Sequence, residues 1–467
     1  MQTPIADFVK EYANKQSSRF HMPGHKGQAF LGCEALDITE IAGADALYEA
    51  QGIIAESEKH AAELFGTAKT VYSTEGSSQC IRAMMHMTVG YWKERRMQTN
   101  GNGENKCADR YSNVVRPYVI ASRNVHKAFL YAAALVDFDV VWLYPKEMHS
   151  LCSCIILAEQ FKEEIEKQIE KHQGIPPAAV YVTSPDYLGG QSDISALAKV
   201  CHHFDTILAV DNAHGAYLQF LKDRIHPLDL GADFVCDSAH KTLPVLTGGA
   251  YLHLSKSLEK EYFESARNAL ALFGSTSPSY LTLASLDLCN LYLKDHIEED
   301  LNRFLVTVGE TKKRLLNQSY SILPSDPLRI TIQGDGLFLA QKLREEQIEC
   351  EYADPDYLVL MLTCNNTKEE LEHLTQVLGL NQSVPTEKML PSLKMAPQKM
   401  SVREAIMSGQ TLLPVGESLG RICASPTVSC PPAIPIVVSG EEITKNALAL
   451  LEYYGITEIH VVKNENS

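Results

Sequence analysis

The sequence predicts an α/β fold, a mostly parallel sheet covered by helices on both faces. Three observations predict it. Between about residues 55 and 255, short β-rich runs alternate with runs whose apolar residues recur at helical spacing. Hydrophobic residues fill 45% and charged residues 21% of the 467 positions, the profile of a globular chain with a sizeable core. Polar residues fall repeatedly just after the strand-like runs, where open parallel sheets bind ligands.

The elements follow in order. AESEKHAAELFG (55–66) has helical spacing and stops at Gly66. KTVYS (69–73) reads as a strand, and SSQCIRAMMHMTVGYW (77–92) as the helix after it. PYVIAS (117–122) and VVWLY (140–144) are β-rich, with VHKAFLYAAAL (125–135) helical between them. AAVYVT (178–183), ILAVD (207–211), DFVCD (233–237) and GAYLHL (249–254) continue the series. QTNGNGENKCADRYSN (98–113) is polar and reads as an exposed loop; the proline-bearing stretch 380–399 reads as a linker. Residues 328–363 read as strand, helix, strand, strand, a smaller α+β unit. The tail has its own helix, EEITKNALALLEYYG (441–455), and strand, EIHVVK (458–463).

Composition excludes several classes of function. The formal charge of −16 comes without the basic face of a nucleic-acid binder. An acidic field can draw in a cationic substrate, and an ordinary acidic enzyme carries the same balance. The twelve cysteines are scattered and form no C-x-x-C pair, so they read as reduced cytosolic thiols rather than disulfides or a structural zinc site. MQTPIADFVKEYANK has no apolar core run, so no signal peptide is expected. No window approaches the ~18 apolar residues of a membrane span. The expected setting is the cytoplasm.

The polar residues after the strands carry the chemistry. TVYS is followed by Thr74, Glu75, Gly76, Ser77 and Ser78 and then a helix, an anion site or simply an N-cap. YVIAS leads to Arg123, Asn124 and His126, and VYVT to Ser184, Pro185, Asp186 and Tyr187. ILAV ends in Asp211, Asn212 and His214; DFVCD ends in Ser238, His240 and Lys241. Each alone has an ordinary explanation: a cap, a satisfied structural histidine, a solvated lysine. Five such endings at one sheet edge are harder to dismiss. Asp211 and Lys241 are separated by about one β-α-β unit, so they are expected to end neighbouring strands. Pyridoxal 5′-phosphate suits this set. Its aldehyde takes a lysine amine, its pyridine nitrogen needs an acid partner, its phosphate needs hydroxyls and N–H groups, and its ring needs a stacking surface.

DSAHKTLPVLTGGAYLH, VDNAHGAYL, TSPDYLG, RNVHKAF, RFHMPGHKG and STSPSYLTLASLD together resemble the ornithine/lysine/arginine decarboxylase family. GESLGRICASP and PPAIPIVVSGEEIT resemble its C-terminal domain. The resemblance implies an aspartate-aminotransferase-like, fold type I pyridoxal-phosphate enzyme with a mostly parallel seven-stranded sheet and smaller α+β C-terminal domains. It implies an N-terminal segment (1–50) near the active site or dimer interface and a cofactor-binding large domain (51–300). A small α+β domain (301–380) and a C-terminal family domain (400–467) would follow. By the same resemblance Lys241 forms the imine, Asp211 pairs with the pyridinium nitrogen and His126 stacks on the ring. Ser77, Ser78, Ser238 and His240 bind the phosphate, His240 having a turn cap as its alternative. His214 lies near the ring and the lysine. Ser275 and Thr276 reach the phosphate of a neighbouring subunit, which implies a homodimer with shared sites.

RFHMPGHKG, with His21 and His25, divides between a place at the site entrance and simple packing; no metal site is expected there. Arg421 divides between the substrate carboxylate and a structural ion pair, the latter favoured. The motif begins too early for the N-terminal receiver-like domain of longer relatives, so the chain resembles the short Gram-positive form. Ser425 stands where the family pattern leads one to expect an acid, which puts substrate choice in question. The expected activity is decarboxylation of a basic L-amino acid, arginine favoured over lysine and ornithine, to an amine for polyamine metabolism. The alternatives are another reaction on the same cofactor, transamination or C–C lysis, and a catalytically inactive regulatory relative.

Overall fold

The computed structural model describes residues 1–99, 116–146, 148–380, 390–392, 394–426 and 434–463. In chain order the first elements are α1 (Pro4–Asn14), α2 (Ile53–Phe65), β1 (Lys69–Ser73), α3 (Ser77–Thr99), β2 (Tyr118–Ser122), α4 (Lys127–Val136) and β3 (Asp139–Leu143). There follow α5 (Ala158–Lys171), β4 (Ala179–Thr183), α6 (Ile194–His203), β5 (Ile207–Asp211), β6 (Phe234–Asp237), α7 (Ala239–Thr242) and β7 (Ala250–Leu254). Next come α8 (Lys260–Ala271), α9 (Tyr280–Asp295), α10 (Ile297–Asn317), β8 (Ser321–Ile322), β9 (Arg329–Gln333), α11 (Gly336–Glu345), β10 (Tyr352–Ala353), β11 (Tyr357–Met361) and α12 (Lys368–Leu380). The last are α13 (Val402–Met407), β12 (Gln410–Pro414), α14 (Lys445–Tyr453) and β13 (Glu458–Val462).

A seven-stranded sheet has the order β1-β7-β6-β5-β4-β2-β3. β2 pairs in parallel with β3 and β4, and β5 with β6. β7 is antiparallel to both its neighbours, β6 and β1. The sheet is therefore mostly parallel, and the exception has a local cause. Between β6 and β7 the chain makes only the four-residue α7 and a turn at Gly248 and Gly249, with no crossover helix to carry it back. β10-β11-β9-β8 form a second, antiparallel sheet, and β12 pairs with β13.

The predicted strands between 69 and 254 all form. Two boundaries differ most. α3 runs on to Thr99, so the first two residues of the expected 98–113 loop are helical backbone; the rest of that loop, from residue 100, lies outside the described residues. Half of the 380–399 linker, residues 381–389 and 393, lies outside them too. The tail helix starts at Lys445, not Glu441. Thr444 takes the N-cap, its hydroxyl accepting the Ala447 N–H at 3.1 Å, while Glu441 and Glu442 form bridges to Gln398 and Ile422.

The chain divides into two compact units. The first comprises Met1–Thr88, Ile194–Lys199 and Ile207–Asn302. Its packing solves a capping problem at long range. α1 opens with a proline, and Thr3 gives its first turn no side-chain cap. The orphan N–H groups of Ile5 and Ala6 instead donate to Asp287 Oδ2 at 2.9 and 3.0 Å. The other oxygen of Asp287 accepts the Ser57 hydroxyl at 2.6 Å, so one carboxylate of α9 ties α1 and α2 together.

The second unit comprises Val89–Asp193, Val200–Thr206 and Arg303–Ser467. Two buried arginines organise it. Arg329 donates to the carbonyls of Asp186 and Tyr187 at 2.7 and 2.8 Å and pairs with Asp326. Arg123, just beyond β2, donates to the Pro435 and Ile436 carbonyls at 2.8 and 3.1 Å and to the Tyr144 hydroxyl at 3.0 Å. Its guanidinium lies 3.6 Å from the equally buried Glu441 carboxylate. Burial pushes the Glu441 carboxyl up, and Arg123 opposes that. Removing the cation leaves the anion stranded. Arg123→Leu is expected to lower the stability of the second unit by roughly 3–5 kcal/mol, read as a fall in the denaturant midpoint.

Candidate active site

The first unit brings most of the predicted residues together. β5 and β6 are parallel neighbours, and Asp211 stands in register with Cys236. The chain beyond β6 turns at once into α7, which carries Lys241. Lys241 is half-buried, and its Nζ lies 2.9 Å from His214 Nε2. Asp211 is 2% exposed; its Oδ1 accepts the Ala213 N–H at 3.2 Å and the Cys236 thiol at 3.6 Å. Burial and the Asp211 charge push the Cys236 thiol well up, which keeps it a donor.

A tight cradle lies beside this pair. Gly76, at φ +73°, ends the strand-to-helix turn, and its N–H donates to the Gly248 carbonyl at 2.7 Å. A Cβ on Gly248 would come within 2.6 Å of the Thr74 carbonyl, and its φ of +94° also demands glycine. Two loops thus close on each other through glycines. Ser77 begins α3, and its Oγ accepts the Ser238 hydroxyl at 2.9 Å, joining the cradle to the strand end that carries the lysine. The first N–H groups of α3, those of Ser77 and Ser78 among them, face outward without intrahelical acceptors, an arrangement suited to an anion. A Cβ on Gly76 would approach His240 Cε1 to 4.0 Å, so the ring flanks the same cradle. Ser275 and Thr276 are exposed, and the Ser275 N–H donates to Glu75 of this same turn.

Other predicted residues are placed elsewhere. His126 belongs to the second unit, where it is the N-cap of α4 and its Nδ1 accepts the Ala128 N–H at 3.1 Å. Asp186 closes its own turn, accepting the Leu188 and Gly190 N–H groups and the Ser153 hydroxyl. Burial raises its carboxyl to about 6. His25 donates to Asp37 at 3.1 Å and His21 meets the Tyr12 hydroxyl at 2.6 Å, so both histidines fasten the N-terminal loop. Arg421 donates to the Val462 carbonyl at 2.8 Å; its contact is structural, with a carbonyl where a carboxylate was expected. The half-buried Ser425 offers its carbonyl to the Cys423 thiol at 3.1 Å. The ten described cysteines are free thiols.

Sequence reading named Asn212 without a role and passed over Cys236, Asp237, His226 and His253. Their signal was present: Cys236 and Asp237 directly precede the lysine turn, and Asn212 directly follows Asp211.

Residues 3–91 and 97–334 match the family described as Orn/Lys/Arg decarboxylase, major domain, and 381–461 its C-terminal domain. The chain belongs to the Orn/Lys/Arg decarboxylase family. It is thus an amino-acid carboxy-lyase by family, and the family's cofactor is pyridoxal 5′-phosphate. The chain is 27% identical to a Bacillus subtilis protein called YaaO, over 99% of this chain and 96% of that one. It is also 27% identical to the Bacillus subtilis arginine decarboxylase, over 96% and 93%. The crystal structure of the Francisella novicida lysine decarboxylase LdcF shares the fold, with a TM-score of 0.77, 17% identity, and coverage of 99% of this chain and 81% of that one.

The residues present fit the cofactor. The glycine-bounded cradle with its hydroxyls suits a phosphate, the buried Asp211 suits a ring nitrogen, and Lys241 suits an aldehyde. His240 adds a condition. Its Nδ1 lies 3.0 Å from the Gly249 carbonyl, which can only accept, so Nδ1 carries hydrogen. In the neutral ring Nε2 is then an acceptor, and only the protonated ring can donate to a phosphate oxygen. Burial lowers the affinity of His240 for that second proton; the Lys241 charge lowers it further and the Gly249 carbonyl opposes. A phosphate bound against His240 would therefore couple its binding to His240 protonation. In the cofactor-free protein His240 is expected to titrate below its ordinary 6.5, and added pyridoxal phosphate to raise the midpoint, both followed by histidine NMR.

Proposed function

We propose that this chain is a pyridoxal-phosphate-dependent decarboxylase of a basic L-amino acid, with arginine its preferred substrate and the resulting amine destined for polyamine metabolism. The observation that carries this reading is the placing of Asp211 at the end of β5 and of Lys241 just beyond the end of its parallel neighbour β6, with His214 Nε2 2.9 Å from the lysine amine. Arginine is favoured because relatives matched over more than nine-tenths of both chains are named arginine decarboxylases, while the Escherichia coli constitutive lysine decarboxylase matches over 47% of its own length.

When bound, pyridoxal 5′-phosphate supplies a ring that accepts the electron pair left as carbon dioxide departs. Lys241 tethers it. Asp211 would pair with the ring nitrogen, its Oδ1 fixed by the Ala213 N–H and the Cys236 thiol. Ser77, Ser78, Ser238 and His240 would hold the phosphate; the family resemblance assigns the stacking role to His126. Lys241 Nζ and His214 Nε2 share one hydrogen bond, so either atom can hold the proton to be delivered. Incubation with arginine, lysine and ornithine in turn, followed by amine chromatography, is expected to yield agmatine and carbon dioxide from arginine most rapidly. Lys241→Ala is expected to abolish both turnover and borohydride-fixed cofactor while leaving circular dichroism unchanged. A keto acid product, or full activity in that variant, would reject the reading.

The working form we infer is a cytoplasmic homodimer with shared sites. The N-terminal loop supports it, because that loop is inverted in polarity. Arg19 donates to the Glu34, Asp37 and Ala35 carbonyls, and Glu34 accepts the Phe30, Leu31 and Gly32 N–H groups. The polar groups are spent inward, while Phe20, Phe30 and Leu31 are 97%, 82% and 90% exposed. A second copy would cover them, with Ser275 and Thr276 beside the shared site. Phe30→Glu with Leu31→Glu is expected to convert a dimer to monomer in sedimentation velocity; a monomeric wild type would rule out the dimer.

A further inference from the structure

Behind the strand ends lies a second, fully buried polar cluster. Successive residues on a strand face opposite ways. Cys236 lies on the Asp211 side, so Asp237 points through to the other face of the sheet. Asp237 is 0% exposed. The Asn212 amide donates to its Oδ1 at 2.6 Å. His226 and His253 donate from Nε2 to its Oδ2 at 3.0 and 3.2 Å. His253 stands on β7 and its Nδ1 meets the Thr70 hydroxyl of β1 at 2.8 Å. One carboxylate thus joins the ends of β5 and β6 to β7, β1 and the segment before β6.

The local sequence is shaped around this cluster. Gly215 closes the turn after Asn212, and a Cβ there would fall 2.0 Å from Asn212 Oδ1. Glycine in the run DNAHG therefore makes room for the asparagine side chain. The Phe65 ring walls the cluster, its centroid 4.4 Å from that of His253 and 5.7 Å from that of His226. Burial favours the neutral acid, but the contacts from His226 and His253 outweigh it and hold Asp237 below the usual carboxylate range. The three side chains also stand close enough together to hold an ion. The N···O separations, however, are those of N–H···O bonds, and the Asn212 amide nitrogen sits 3.0 Å from His226 Nε2.

Asn212 adjoins Asp211, and Asp237 lies four residues before Lys241. We propose that Asp237 is a positioning residue which, from the face of the sheet opposite Asp211, fixes the ends of β5 and β6 and thereby the placing of Asp211 against Lys241. The inference rests on the reading of Lys241 and Asp211 given above. At metal centres, deletion of a contact that orients a ligating side chain costs on the order of tenfold or more in affinity.

The test is a double-mutant cycle on the full chain. Pyridoxal phosphate affinity is measured by absorbance titration for wild type, Asp237→Asn, Asp211→Asn and the double variant, with the thermal midpoint of each cofactor-free protein. The expected result is about tenfold weaker binding in D237N. The absorbance band of the bound cofactor shifts, and the double variant loses less than the product of the two single losses. Asn212→Ala, which removes only the amide bridging the two strand ends, serves where D237N does not fold and is expected to behave alike. Wild-type affinity and band position in the variants, or losses that simply multiply, would overturn the proposal. So would a stoichiometric metal ion in wild type that His253→Gln loses. A wild type that takes up no cofactor at Lys241 overturns the functional reading as well, whereas normal uptake with unaffected variants overturns the positioning role alone.

Discussion

Two parallel strands ending side by side impose the constraint on which the rest depends. β5 stops at Asp211 and β6 at Asp237, in register through Asp211 and Cys236, and the chain then has four residues in which to deliver Lys241. The carboxylate sits on a strand end and the amine on the short helix that follows its neighbour at once, so backbone hydrogen bonds rather than flexible loops hold both. That rigidity is what a group with a fixed ring-to-aldehyde distance requires. The glycines at 76 and 248 serve the same end. They let two loops approach until backbone touches backbone, which places hydroxyls and N–H groups at one rim of the sheet.

The sheet then works on both faces. The front carries Asp211, Cys236 and Ser238. The back carries Asn212, Asp237 and His253, where a buried charge is surrounded by donors. A buried carboxylate is costly unless its oxygens are satisfied, and here each oxygen has at least one donor. The cost is incurred at the two strand ends that carry the candidate chemistry, a common location for polar groups that specify geometry rather than add stability.

Much of the fold was legible because each strand from 69 to 254 is a short β-rich run bounded by turn residues, and the parallel reading followed from the helices between them. β7 escaped that logic: its direction depends on a connection too short for a crossover, which composition does not display. The tail helix was placed too early because Glu441 and Glu442 look helical, yet Glu441 is committed to the Val438 N–H and the Arg123 charge. Asp211, Lys241, His214 and the serine cradle were legible by their position after strands. Cys236 and Asp237 were not, because their roles depend on which face of the sheet each side chain takes. Likewise Arg19 and His25 of RFHMPGHKG bond back to the Glu34–Asp37 segment, a fact of loop geometry that no periodicity encodes.

His240 shows why proximity does not settle a role. It stands beside the cradle, yet the Gly249 carbonyl claims its one hydrogen in the neutral ring. It can assist a phosphate only by taking a proton that burial and Lys241 discourage. A dianion in the cradle reverses that balance by supplying the missing counter-charge. A histidine so placed would discriminate by charge: a neutral ligand of the same shape would leave it an acceptor, while a phosphate would convert it to a donor. Shape selects at the glycines, and charge selects at the imidazole.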